Sequence, residues 1–276
     1  MMFCLITRHA SRVNCSACAW LAVALLASAA PADDLTPFLA VHQKANALAA
    51  EKKWPEAAKA YAAFAAAAQD DPCAPLAAAL QGILLLRELN QAAPAREAFL
   101  RATKAPNSPF GQATRELARG WLARLQMVEL AAALRRYWTD KVEYPEKLEA
   151  LVERKLAPPE LLVDPWGKPF AYAAGALRAV PDLPRQTYSL RCTAIEGDSR
   201  SLKAALAQTA AVPGKFHLRA IGGVKPLAAL IAFAEDKTRK PVNLAEGEKI
   251  DGATLVKLTP QGAILVEGGA VAVLAR

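Results

Sequence analysis

The sequence predicts an α+β chain built in several parts. Helical hairpins come first, then a long helix with a small antiparallel sheet, then a small all-β region. Three observations carry this. Proline-punctuated, Ala-rich helical stretches recur between 35 and 109. An apolar stripe at helical spacing runs from Leu117 to Trp138. The stretch 214–276 breaks into short alternating runs separated by Gly and Pro. The boundaries that follow are 1–32 for a leader, 33–110 for the hairpins, 111–198 for the long helix with its sheet, 199–213 for a linker and 214–276 for the β region.

The leader has Arg8 and Arg12 before an apolar run from Ala17 to Ala30, then Ala30-Pro31-Ala32 ahead of Asp33-Asp34. This is the order of a secretory signal peptide: positive region, apolar core, small residues at the cleavage point. The expected location is therefore periplasmic, or anchored at the inner membrane if residues 1–32 are retained; membrane association is expected only in that case. Cleavage would leave Cys73 and Cys192 of the five cysteines, too far apart in sequence to suggest a disulfide framework or a metal site. The formal charge of +8 is spread thinly, without a Lys/Arg block or basic-aromatic interleaving, and so implies no nucleic-acid partner.

Four helices are expected in the first part. One runs from Thr36-Pro37 to Glu51 and a second from Pro55 past Phe64, stopping before Asp70-Asp71-Pro72. A third spans Leu76 to Leu89, and a fourth starts at Pro94 and ends near Pro106 or Pro109. Pro55 and Pro94 occupy first turns, where a missing N–H costs nothing; Pro72 and Pro109 stand as matching stops. Ala57, Tyr61, Phe64 and Pro72 resemble the second helix of a tetratricopeptide repeat, whose period is about 34 residues; a generic helical bundle is the alternative.

The long helix is expected from Gln112 to Tyr137, with Leu117, Trp121, Leu125 and Val128, then Leu130, Leu134 and Trp138, on its apolar side. Arg115, Arg119, Arg124, Arg135 and Arg136 are read as a solvated face or a docking surface. Tyr144-Pro145 then opens a short helix, and Asp164-Pro165-Trp166-Gly167 has the residue order of a type I turn: Asp first, Pro second, Gly fourth. Strands are expected at Phe170–Tyr172 and Thr187–Cys192.

This succession resembles the globular part of the major pseudopilin (GspG) family of type II secretion. The residues that carry it are Tyr144-Pro145 before Leu148-Glu149-Ala150-Leu151, then Asp164-Pro165-Trp166-Gly167-Lys168-Pro169-Phe170-Ala171-Tyr172, Tyr188-Ser189-Leu190 and Gly197-Asp198. The match covers roughly 115–198. It implies a fold signature at Tyr144, Pro145, Asp164, Pro165, Trp166, Gly167 and Tyr172, with Trp166 and Tyr172 in a small core rather than in contact with a partner. Two features depart from the family. No prepilin-peptidase site precedes the helix, whose first half is not uniformly apolar. After Asp198, where the family's calcium loop would follow, the chain runs through Ser199-Arg200-Ser201 into an Ala-rich helix or linker.

The last part alternates at Phe216–Ile221, breaks at Gly222-Gly223 and resumes in an apolar run from Leu227 to Phe233. Further strands are expected at Val242–Leu244, Thr254–Leu258, Ala263–Val266 and Ala270–Leu274. Their order resembles the periplasmic homology-region domain of the type II secretion C component and pilus protein P.

No catalytic constellation is legible. His42 and His217 do not pair at metal spacing, and His217 is expected as a half-buried strand residue. Neither cysteine has a sequence-adjacent His or positive cluster to activate it. Glu196 and Asp198 are two carboxylates beside a turn. No catalytic, cofactor-binding or metal residue is expected. The resemblances imply a non-enzymatic structural or adaptor component of a type II secretion or type IV pilus-like envelope assembly, with protein subunits as partners. The alternative is a periplasmic carbohydrate- or peptidoglycan-binding accessory protein, for which Phe216 and Phe233 are the only aromatics in the β region.

Overall fold

Proline and alanine lay out the first layer. In the computed structural model, which describes residues 34–276 except 176–177, 181–182, 198, 210–213, 224–225 and 237, α1 (Thr36–Ala50), α2 (Trp54–Ala67) and α3 (Ala74–Arg87) each carry a proline in the first turn. There the ring's fixed φ suits the helix and no hydrogen bond is lost. Then comes α4 (Ala92–Ala102), and each helix packs on the next. Small side chains let the axes approach: Ala57, Ala77, Ala79, Ala95 and Ala98 are all buried. At Gly82 an added Cβ would stand 2.8 Å from the Phe99 ring, so the ring occupies the space a side chain would need. The hairpin starts repeat at 38 residues, Thr36 to Ala74 and Trp54 to Ala92, four more than a tetratricopeptide period. The expected leader lies outside the described residues.

Pro109 is not a stop for α4, which ends at Ala102. It opens the next helix, α5 (Pro109–Lys141), whose N-terminal Ser108 side chain accepts a hydrogen bond from the Gly111 N–H at 3.0 Å. A serine cap followed by proline is a strong start signal, and it places the helix three residues earlier than the apolar stripe alone suggests. The far end closes on Val142, held at φ 59° with its N–H bonded to the Trp138 carbonyl.

The C-terminal half of α5 carries a small head. It comprises α6 (Glu149–Glu153), a 3₁₀ turn at Pro159–Leu162, and the antiparallel pair β1 (Ala171–Ala174) and β4 (Tyr188–Arg191), in register from Ala171 opposite Arg191 to Ala174 opposite Tyr188. Between them a further hairpin, β2 (Arg178–Val180) and β3 (Leu183–Arg185), pairs on its own. Met127, Leu130, Leu134, Leu151, Phe170 and Leu190 form this head's core.

After α7 (Leu202–Gln208) come two antiparallel sheets. One has the order β5 (Phe216–Gly222), β6 (Ala228–Phe233), β7 (Val242–Leu244). The other runs β11 (Ala270–Ala275), β10 (Gly262–Glu267), β9 (Ala253–Thr259), β8 (Lys249–Ile250). The second sheet is buried on both faces. Ile264 and Val266, with Val271 and Val273, face the helices; Ala263 and Leu265, with Ala270, Ala272 and Leu274, face the first sheet. In β9 the parity changes. Leu255 and Leu258 join the inter-sheet core while Val256 packs toward the helices, because the register shifts opposite Ile264 and Leu265. One extra residue in a strand re-aims everything beyond it. Two-sided burial is why these strands read as continuous apolar runs.

The whole is a mixed α+β architecture, and residues 34–276 form one compact unit. No helix among the described residues is long and apolar enough to cross a membrane.

Candidate functional site

The signature stretch is organised by one carboxylate. Asp164 is buried, and its Oδ1 accepts hydrogen bonds from the backbone N–H of Trp166 and of Lys168, both at 2.9 Å. Its Oδ2 accepts from the Cys192 thiol at 3.4 Å. The backbone closes the same corner: the Gly167 N–H donates to the Asp164 carbonyl at 2.9 Å and the Asp164 N–H to the Lys168 carbonyl at 2.7 Å. Pro165 presets the second turn position, and Gly167 sits at φ +82°, where a Cβ would be strained. The expected turn is present, with its side-chain and main-chain locks running from Asp164 to Trp166, Gly167 and Lys168. Burial, with Asp164 alongside, pushes the Cys192 thiol up from its ordinary pKa.

This corner fixes Trp166. Its ring is half-buried against the head's core, and its Nε1 donates to Glu116 Oε2 at 2.7 Å. The other signature residues gather elsewhere. Tyr172 donates from its hydroxyl to the Pro145 carbonyl at 2.8 Å, and Tyr144 packs on Trp138 with ring centres 4.8 Å apart. Tyr188 joins Tyr144 and Tyr172 at 4.7 and 6.2 Å. Burial among these phenols raises the Tyr172 pKa. The seven signature residues therefore form two bonded groups against one shared core. Glu116 and Trp138, their respective anchors, are 22 positions apart on α5, about 33 Å of helix at 1.5 Å per residue.

Beside Trp166 opens a cavity of about 900 Å³. Its walls come from the N-terminal half of α5, the loop Ala194–Gly197 and the turn between β10 and β11. Trp121 ties two of these walls together. Fully buried and stacked on Phe99 at 5.8 Å, it donates from Nε1 to the Gly269 carbonyl at 2.8 Å.

Arg124 also lines the cavity, and here the structure corrects the sequence. Arg135 and Arg136 are exposed as expected, and Arg115 and Arg119 partly so, but Arg124 is only 5% exposed. Its guanidinium carbon lies 5.4 Å from the Trp121 ring centre. Nη1 fits between Gly120 and Gly269, 3.1 and 3.2 Å from where a Cβ would stand on each. Nε and Nη1 have no hydrogen-bond partner among the described residues. Burial lowers the pKa of this group from the ordinary arginine range. The sequence signal, visible only in retrospect, is Gly120 four residues earlier on α5 and the Gly268-Gly269 pair across from it.

The remaining candidates resolve individually. His42 shares hydrogen bonds with Tyr61 Oη at 2.7 Å and Asn46 Nδ2 at 3.0 Å, and burial brings its pKa down to about 4. Burial, with Asp71 next in effect, pushes the Cys73 thiol up to about 12. Both cysteines are free and buried. His217 does lie in a strand, but it is exposed rather than half-buried, since its neighbour Phe216 takes the inward position. Phe216 and Phe233 are buried against one another at 6.0 Å. Asp198 lies outside the described residues, and no group of three His, Cys, Asp or Glu suited to a metal occurs among those described. No protein-family model, curated protein or solved structure matches this chain.

Proposed function

We propose that this protein is a non-enzymatic, exported structural or adaptor component of a type II secretion or type IV pilus-like envelope assembly, acting through protein–protein contacts. The observation that supports this reading is the setting of α5. Its C-terminal half carries the pseudopilin-like head, with the Asp164 turn locked and β1 paired to β4. Its N-terminal half is embedded: Leu117, Trp121 and Leu125 share one core with the hairpins and with Val256, Ile264 and Val271 of the β region. A helix enclosed in this way cannot pack lengthwise into a filament, so the head serves as a fixed docking face beside an assembly. The short edge strand β7, with Val242 38% exposed, is the natural place for a partner strand to add.

The test is affinity purification of tagged protein from crosslinked native envelopes, with mass spectrometry of co-purifying chains. Secretin, pseudopilin or inner-membrane platform subunits are expected, and Val242→Lys is expected to reduce their recovery. Retention on cell-wall or glycan material with none of those subunits overturns the reading in favour of a peptidoglycan- or carbohydrate-binding accessory.

A further inference from the structure

We propose that the Arg124 cavity is a binding site for a single carboxylate attached to an apolar body, in the manner of the C-terminal end of an apolar peptide or an N-acylated apolar amino acid. A guanidinium removed from water is stable only when its donors are used. Arg124 is only 5% exposed, yet among the described residues Nε and Nη1 have no acceptor. The Trp121 ring offers a cation–π contact to its face but accepts none of its in-plane hydrogen bonds. The cavity it lines is already open, at about 900 Å³, within the range of small-ligand sites.

The other walls define the ligand. Leu117, Ile195, Val256 and Val266 give an apolar lining. Among the described residues, Glu116, Glu196 and Glu267 are the acidic groups that line the cavity, and two of them already hold cations: Glu116 with Arg119 at 3.0 Å and Glu267 with Lys215 at 3.4 Å. Arg124 is the one cation among the described lining residues and acidic groups outnumber it there, which disfavours a multiply charged phosphate. It tolerates one carboxylate, the group with which a guanidinium pairs most strongly. This site stands whatever assembly the protein joins.

The experiment uses the purified chain and follows thermal stability and tryptophan fluorescence, since Trp166 lines the cavity and Trp121 lies under the Arg124 guanidinium. The probes are the acetylated peptide Ala-Ala-Val-Leu with a free C-terminus, its C-terminal amide, N-acetyl-leucine and inorganic phosphate. Saturable binding of the free acid is expected, weakened at least tenfold in the amide and at least tenfold by Arg124→Lys. Ala194→Trp, on the exposed rim, is expected to abolish binding by filling the mouth. That variant and the amide control keep the test sound should Arg124→Lys fail to fold. N-acetyl-leucine binding as tightly as the peptide assigns the site to a small carboxylate; tighter peptide binding assigns it to a chain terminus. Amide or phosphate binding as tight as the free acid, or no saturable binding of any probe, overturns the proposal.

Discussion

Asp164 is one side chain with three bonded neighbours, and its loss leaves two backbone N–H groups and a thiol without their acceptor in a buried corner. Charge-assisted bonds to a carboxylate exceed the neutral average. Asp164→Ala is therefore expected to destabilise the protein by about 2–4 kcal/mol in urea unfolding, and Asp164→Asn, which keeps an acceptor oxygen, by less. His42 makes a pH prediction at the same scale. Its folded pKa of about 4 lies below the ordinary histidine value of about 6.5, so between these values the unfolded chain binds the extra proton. Stability is then fully present above about pH 6.5 and is lost as pH falls toward 4, by on the order of 2–3 kcal/mol. His42→Gln should flatten that part of a stability–pH curve, and an unchanged slope would assign it to other groups.

At the level of elements, the end of α5 carries a visible cost. Val142 is β-branched, 49% exposed and held at φ 59°, a conformation that crowds its Cβ against the backbone. Val142→Gly should stabilise the protein by about 1 kcal/mol, read as a raised denaturation midpoint with an unchanged slope, because little packing is lost. The helices and most strands were legible because proline, glycine and apolar period mark them strongly. What escaped has a physical cause in each instance. Lys249–Ile250 and the pair Arg178–Val180 and Leu183–Arg185 are too short to show a period. The parity change around Val256 depends on its partner strand, which no local pattern reports. Arg124 reads as surface because the helix around it is arginine-rich; the apposed turn at Gly269 makes its position an interior one. The Asp164 turn was legible, while the different α5 residues that anchor it and the group of Tyr144 and Tyr172, Glu116 and Trp138, were not.

Across the whole molecule, Trp121 is the side chain that joins layers. It stacks on Phe99 of the hairpins and bonds the Gly269 carbonyl of the β region. Trp121→Phe removes that bond and part of the ring volume, and is expected to cost about 2–4 kcal/mol. Calorimetry should show one transition shifted downward; two separated transitions would mean that the layers melt independently. The sheet β8–β11 imposes the same unity. A chain cut before residue 214 exposes the helical surface that Val256, Ile264 and Val271 cover, so it is expected to lack the sharp near-ultraviolet signature of a packed core.

The meeting of α1 with β11 also sets an order in time. The first described helix and the last strand belong to one core, so a ribosome delivers Phe38 and Leu39 more than two hundred residues before the strand that seals them. Local helices can form early, but closure must wait for β11. Until then the growing chain carries an unsealed apolar face, and its safety rests on whatever holds that face during the delay.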